Sequence, residues 1–375
     1  MSNKVRVGIV GTSGWADFMY LPALQSHPQV EITAICGRNG NSAEQMAAKY
    51  NIPKAFTDYH HMINLGGLDA VLIGTPDDLH YEMTMQSLSA GLHVLCDKPL
   101  AVTAQQAWEM YQAAETAKVI HMVLFTYRWM PFFRYVKDLI DQGYVGRCYH
   151  AEFRHLMGYA RQKEYLWRFD QKRANGALGD LGVHMIDMAR WLLGDISRVC
   201  AQLGVFVERP GVDGGRIDPA NDSAFLLAEF ANGTHGSIQA SVVAHLADRE
   251  MQQQVKLYGE AGTLEIDVPY RGPEVVAVIR AARNNDQEFQ TLEVPAAYWG
   301  EVSRSDPMEV FKHQSVGCRA FIDSVLENHQ APPTFYDGYK AQQVMEAAMD
   351  SHKSAKSISI EDRGEQASYQ PIQET

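Results

Sequence analysis

The chain has 375 residues, more than one hydrophobic core usually organises, so two domains are expected. With 46% hydrophobic and 21% charged residues it is neither a disordered chain nor a membrane bundle, and no apolar run approaches a membrane span. A formal charge of −12 argues against a nucleic-acid partner and favours chemistry on small molecules.

Met1 to Lys4 lead straight into an apolar strand, which leaves no room for a signal peptide and makes the cytoplasm the expected compartment. Five cysteines, Cys36, Cys96, Cys148, Cys200 and Cys318, lie far apart with no Cys-x-x-Cys pair or zinc-type cluster, so reduced and mostly core thiols are expected.

Lys4 to Gly11 reads as a short strand, and Thr12-Ser-Gly-Trp-Ala-Asp17 turns it into a helix carrying Phe18, Leu21 and Leu24. The register Gly11-x-Ser13-x-x-Ala16 fits a dinucleotide fingerprint. Gly11 makes the tight turn, Ser13 replaces the second glycine, and Ala16 lets helix and strand pack closely. Backbone N–H groups from Thr12 to Trp15 would hold a pyrophosphate at that helix start; the other reading is a glycine-rich turn with no ligand. The second strand, Val30 to Cys36, ends in Gly37-Arg38-Asn39, where an NAD site usually has an acid for the ribose 2′-OH. Arg38 can fork onto a 2′-phosphate or stack on adenine, so NADP is favoured and NAD stays open.

Asn41 to Tyr50 has a helical period, and a short extended piece follows near Ala55-Phe56. His60 and His61 are not a metal pair, because adjacent residues on a helix point apart. Leu68 to Gly74 is a third strong strand, ending in Thr75-Pro-Asp-Asp-Leu-His80 before a helix from Tyr81 to Ala90. At that edge of an open α/β sheet Thr75, Pro76 and His80 should lie over the cofactor crevice. In His93-Val-Leu-Cys-Asp-Lys-Pro-Leu100 the unbroken apolar run marks a buried parallel strand, with Asp97 and Lys98 at its carboxyl end. A lysine held there by the Pro99 ring and partly desolvated by a cofactor can have its pKa lowered toward proton transfer. Standing alone, the stretch reads as a solvated lysine before a proline. A helix from Thr103 to Lys118 and a strand from Ile120 to Phe125 complete a β-α repetition, the pattern of a Rossmann-type, doubly wound parallel sheet over residues 1–125.

Residues 126–375 read as an α+β domain. An amphipathic helix from Phe132 to Gln142 is followed by alternating segments from Arg147, then Val199 to Val207, Ser223 to Phe230, Thr234 to Val243, Gln252 to Tyr258 and Gly262 to Asp267. These predict a large, mostly antiparallel open sheet, one face covering the cofactor domain and the other supporting a homodimer or homotetramer. In Gly176 to Arg190, a helix would put Asp180 and His184 one turn apart on one face, with Asp187 near them. An imidazole whose tautomer a carboxylate sets has what general acid/base work requires. The same residues also suit a capped helix with a satisfied core histidine. A zinc site is the weakest option, because Lys98 would add positive charge to the pocket. Trp167-Arg168-Phe-Asp170 offers an aromatic face for a sugar ring and a donor fork for hydroxyls or cofactor, unless Trp167 is a core aromatic. Further on, Arg280 to Gln290 looks turn-like, Val316 to Glu327 and Gly338 to Ser351 helical, and the tail from Glu361 polar and mobile. Tyr298, Trp299 and His313 are additional substrate candidates without an assigned place.

In order and spacing, Gly11-x-Ser13-x-x-Ala16, Thr75-Pro76 with His80, Asp97-Lys98-Pro99 and Tyr127-Arg128-x-x-Pro131 resemble the Gfo/Idh/MocA oxidoreductases, which include glucose-fructose oxidoreductase and inositol dehydrogenases. The resemblance covers nearly the whole chain. The family's Glu-Lys-Pro appears here with an acid one methylene shorter, Asp97, and its Asp-x-x-x-His falls on Asp180 and His184. What the resemblance implies is hydride transfer between nicotinamide C4 and a secondary hydroxyl of a sugar, glycoside or cyclic polyol. In that picture His184 accepts the hydroxyl proton, Lys98 polarises the same oxygen and Asp180 orients the site. Asp97 and Arg168 would lie beside the cofactor, Arg128 and Trp167 beside the substrate. The alternative from another class is a nucleotide- or sugar-sensing regulator that kept the fold without the chemistry; Lys98, Asp180 and His184 kept together speak against it.

Overall fold

The computed structural model describes residues 4–271 and 274–361. The tail expected to be mobile lies, from residue 362 on, outside the described residues. Six parallel strands, β1 (Val5–Val10), β2 (Val30–Cys36), β3 (Lys54–Phe56), β4 (Ala70–Ile73), β5 (His93–Asp97) and β6 (His121–Leu124), form a sheet in the order β3-β2-β1-β4-β5-β6. The chain reverses its direction of winding between β1 and β4, which opens a crevice at the carboxyl ends of those strands. Every residue of β4 is buried, as a parallel strand covered on both faces requires.

The helix after β1 departs from its expected face. Ala16–Tyr20 winds as a π turn before α1 (Leu21–Gln25), and the extra residue per turn rotates the side chains. Met19, Tyr20, Leu21 and Leu24 are buried, whereas Phe18 is 55% exposed beside Trp15. The later crossover helices α2 (Gly40–Tyr50), α3 (Tyr59–Asn64) and α5 (Ala104–Ala117) start where Asn39, Asp58 and Thr103 accept from first-turn amides; α4 (His80–Ser89) follows the turn after β4.

Beyond α6 (Pro131–Asp141) runs the second sheet. β7 (Cys148–Met157) precedes a second π turn, Leu178–Gly182, that flows into α7 (Val183–Leu193). Strands β8 (Ile196–Gly204), β9 (Ser223–Phe230), β10 (His235–Ser241), β11 (Met251–Gly259) and β12 (Gly262–Arg271) complete the path β12-β11-β7-β10-β9-β8. Along that path only β7 and β10 pair in parallel; the other pairs are antiparallel. β13 (Glu274–Val275) adds a short rung on β12. The stretch from Arg280, expected to be turn-like, instead holds the end of β14 (Val278–Arg283) and leads to β15 (Gln290–Leu292). Ile279 and Ala281 alternate inward there, enough to seat a polar-looking strand on β12. α7 lies against β7 and β10, and the opposite face of the sheet stays open, with Phe225 and Leu227 47% and 57% exposed.

The last helices return to the first sheet. After α8 (Ala296–Trp299) and α9 (Val310–His313), α10 (Cys318–Glu327) packs on β1, β5 and β6, and α11 (Phe335–Ser354) spans from α5 and β6 to α7 and β8, where β16 (Ile358–Ser359) pairs. α10, from the carboxyl-terminal part of the chain, thus covers a face of the amino-terminal sheet. Val123 N donates to Pro333 O at 3.1 Å, and His27 Nε2 lies 2.9 Å from Asp323 Oδ1.

Arg128 ties three of these elements together. Its Nε and Nη2 donate to Asp187 on α7 at 2.8 and 2.5 Å, and Nη2 donates to Asp337, the N3 residue of the capping box of α11, at 2.9 Å. The residue is buried, with Phe125 and Trp191 rings beside the guanidinium. Removing one partner of a buried ion pair strands the other, so Arg128→Leu should lower unfolding free energy by about 3–5 kcal/mol. Urea denaturation measures it, and a loss below about 1 kcal/mol, the size of a surface pair, would show that the strut is not stabilising.

Candidate active site

Lys98 leaves the end of β5 between fixed points. The Tyr20 hydroxyl donates to Asp97 Oδ2 at 2.5 Å, and the Lys98 amide donates to Asp97 Oδ1 at 2.8 Å, so the Asp97 carboxylate sets the backbone from which Lys98 projects. Nζ reaches the second domain, donating to the Asp180 carbonyl at 2.8 Å and to Asp180 Oδ1 at 3.3 Å.

Asp180 is the hub. Arg168 Nε donates to Oδ1 at 3.1 Å and the Tyr159 hydroxyl to Oδ2 at 2.5 Å. Burial by itself would raise this carboxyl; the charges of Lys98 and Arg168, with the bonds from Tyr159 and Lys98, outweigh it and hold the group below the usual carboxylate range. The π turn carries Asp180 and is pinned from β9's approach: Leu178 N donates to Asn221 Oδ1, and Gly176, at φ +64°, lets the Asn221 carbonyl come within 2.1 Å of where a Cβ would sit.

His184 follows on α7, its ring 4.5 Å from that of Tyr127 and 6.0 Å from that of His155, centroid to centroid. Its Nδ1 is buried with no hydrogen-bond partner among the described residues. Burial, then Lys98 and His155, lower its pKa well below the ordinary value, against Asp180. Burial likewise brings His155 down to about 3. Both rings are neutral at physiological pH. The expected carboxylate–imidazole pair does not form: the π turn breaks the simple one-turn relation, and Asp180 spends its oxygens on Lys98, Arg168 and Tyr159.

At the crevice, Gly11 has φ +124° and a Cβ there would lie 2.3 Å from the Gly74 carbonyl. Ala16 N donates to Ser13 Oγ at 3.2 Å, while Gly14 faces open space. Amides in a first helical turn have no partner within the helix, so Thr12 to Trp15 form a backbone cradle suited to a pyrophosphate. Arg38 is exposed and in no ion pair among the described residues; a Cβ on Gly37 would meet Thr12 at 2.5 Å. Thr75 and Pro76 are half-buried at the end of β4.

Several residues stand elsewhere than expected. His80 does not lean over the crevice: its ring is fully buried, with both nitrogens at backbone carbonyls. Arg128 is committed through Nε and Nη2 to Asp187 and Asp337. Asp187 belongs to that strut and not to an acid/base pair. Trp167 carries Arg168 on its ring at 4.3 Å. Tyr298 bonds Asp138, Trp299 is buried, and His313 lies beside Glu309. No three His, Cys, Asp or Glu side chains among the described residues come together so as to hold a metal ion. Sequence reasoning missed Tyr20, Tyr127, His155 and Tyr159, and also Asp77, whose carboxyl burial pushes well above its usual range despite Lys98 and Arg168. Only Tyr127 and Asp77 lay inside stretches already singled out.

A Rossmann sheet with a dinucleotide cradle, its carboxyl edge closed by a lysine–carboxylate contact from a second domain, defines a two-domain nicotinamide-linked oxidoreductase. Residues 5–125 match the family model described as an oxidoreductase family with an NAD-binding Rossmann fold, and residues 133–265 match the GFO/IDH/MocA C-terminal domain. The chain belongs to the Gfo/Idh/MocA oxidoreductase family. It is 28% identical over 340 residues to levoglucosan dehydrogenase of Pseudarthrobacter phenanthrenivorans, covering 84% of this chain and 86% of that protein. It is 30% identical over 297 residues to a scyllo-inositol 2-dehydrogenase (NADP(+)) of Bacillus subtilis, covering 78% and 83%. The solved structure of levoglucosan dehydrogenase with NADH and levoglucosan superposes with a TM-score of 0.86 at 27% identity, covering 96% of this chain and 100% of that one.

A depressed carboxylate contributes stability that is complete above its unfolded value, about pH 4, and lost as pH falls through the lower folded value. Asp180→Asn removes that contribution, so below about pH 4 the urea midpoint should fall less steeply with acid than in the wild type. Equal slopes would show that Lys98 and Arg168 do not hold the carboxylate.

Proposed function

We propose that the protein transfers a hydride between a secondary hydroxyl of a sugar, glycoside or cyclic polyol and NADP or NAD, with Lys98 and His184 handling the proton. The observation that carries this reading is the Lys98–Asp180 contact at the crevice edge with neutral His184 on the following turn. When bound, the nicotinamide ring supplies a hydride acceptor at C4. The chain does the rest. Lys98, held by Asp180, presents N–H donors toward an alcohol oxygen and stabilises the negative charge that develops there. His184, kept neutral by burial, offers the lone pair that a hydroxyl proton requires. Asp180 fixes Lys98 and Arg168 as an anion and does not take the proton itself. Tyr127 and His155 shape the wall behind His184.

The relatives named for levoglucosan and scyllo-inositol support a cyclic polyhydroxy substrate. Arg38, exposed just past the end of β2 and in no ion pair among the described residues, favours NADP over NAD, although the levoglucosan relative is seen with NADH. Phe225 and Leu227 on the open sheet face support assembly as a homodimer or homotetramer.

The test is reduced-nicotinamide absorbance with NADP and a panel of sugars and inositols. Lys98→Ala and His184→Ala should each lose about 10²–10⁴-fold in turnover while binding cofactor normally. Tight cofactor binding by the wild type without turnover on any polyol would replace the enzyme by a sensor. Arg38→Ala should weaken NADPH binding by about 10-fold or more, the worth of one charge-assisted hydrogen bond, and leave NADH binding unchanged. An equal loss for both cofactors would remove the case for NADP.

A further inference from the structure

His80, the first residue of α4, lies fully buried between the turns that leave β4 and β5. Its Nδ1 is 2.8 Å from the Pro99 carbonyl oxygen and its Nε2 is 2.9 Å from the Thr75 carbonyl oxygen. A carbonyl oxygen only accepts, so each contact calls for an N–H, and imidazole carries two N–H groups only as the cation. In the neutral ring one nitrogen lone pair would face a carbonyl lone pair at hydrogen-bond distance, in a place no solvent reaches. Burial, the largest influence, carries its pKa below the ordinary value, against Asp97, the two carbonyls and Asp78; the geometry of two acceptor-only partners opposes that shift. Asp97 stands at the end of β5 with its carboxylate held by Tyr20, and Asp78 in the turn before α4 is paired with Arg173.

We propose that His80 is a buried imidazolium that staples the Thr75 carbonyl to the Pro99 carbonyl and so acts as a positioning residue for Lys98. Lys98 is then gripped on both sides, its own amide by Asp97 and the next residue's carbonyl by His80. The staple also joins the turn carrying Thr75, Pro76 and Asp77 to the turn carrying Lys98, so the two rims of the crevice move as one. The charge and the staple are properties of the folded chain alone; the effect on turnover rests on the dehydrogenase reading.

Two measurements test this. In the full-length protein labelled with ¹⁵N-histidine, free of cofactor and substrate, the His80 ring, assigned through its backbone, should show both nitrogens protonated from about pH 6 to about pH 9, a window that spans the ordinary histidine value. A singly protonated ring across that window overturns the proposal. His80→Gln cannot reproduce both contacts, and the expected result is a fall in kcat of about 100-fold, the cost of an ångström-scale misplacement, with substrate KM and NADPH affinity near wild type. Unchanged kcat, or a kcat loss matched by loss of NADPH binding, overturns the positioning role. A doubly protonated His80 in a wild type that turns over no polyol would sustain the staple and defeat the dehydrogenase reading, so the two failures are separable.

Discussion

The contact between Lys98 Nζ and Asp180 is the constraint on which the rest of the molecule converges. One partner comes from the rim of a parallel sheet, the other from a π turn that starts a helix in the second domain. Neither charge could stay buried alone, because desolvating a lone ion costs more than most folds can offset. Arg168 and Tyr159 complete the shell, so a carboxylate burial would neutralise remains an anion. The consequence is a lysine at the rim of the parallel sheet whose Nζ is fixed in place by Asp180.

Holding two domains to that tolerance takes more than one contact. The Arg128 strut joins the turn after β6 to α7 and α11, and α10 packs directly onto the amino-terminal sheet. The helix that carries His184 is therefore braced against the turn after β6, the strand that pairs with the Lys98-bearing β5. Buried ion pairs of this kind are weak sources of net stability compared with apolar packing, but they tolerate only one register. That gives a physical reason for charge in the core of a chain whose remaining interior is ordinary aliphatic and aromatic packing.

The site is also electrostatically divided. Asp180 and Asp97 are held by donors, while Asp77, buried without a comparable set of bonds, is pushed toward its neutral form. His184 and His155 are kept neutral, so the positive charge in the pocket belongs to Lys98 and Arg168. Groups of like type thus reach different states within one pocket, each set by its own neighbours and not by residue identity.

Much was legible in the sequence, and where it was, local physics was sufficient. Unbroken apolar runs placed β4 and β5, alternation placed β9 and β11, and the helix read from Thr103 begins at Ala104 with Thr103 as its cap. Gly11, with its positive φ and its approach to Gly74, follows from the turn itself. What the sequence could not decide was partnership. Asp180 and His184 looked paired because an α-helix was assumed, and a π turn separates their roles. Arg128 looked like a substrate ligand, and its structural partnership with Asp187 and Asp337, 59 and 209 residues away, carried no local signal. Tyr20 and Tyr159 carry no local signal, since they matter only through Asp97 and Asp180, 77 and 21 residues distant. Periodicity and turn chemistry are written between neighbours along the chain, whereas the destination of a charge depends on which distant group the closed fold brings within three ångströms of it, and only the tertiary structure decides that.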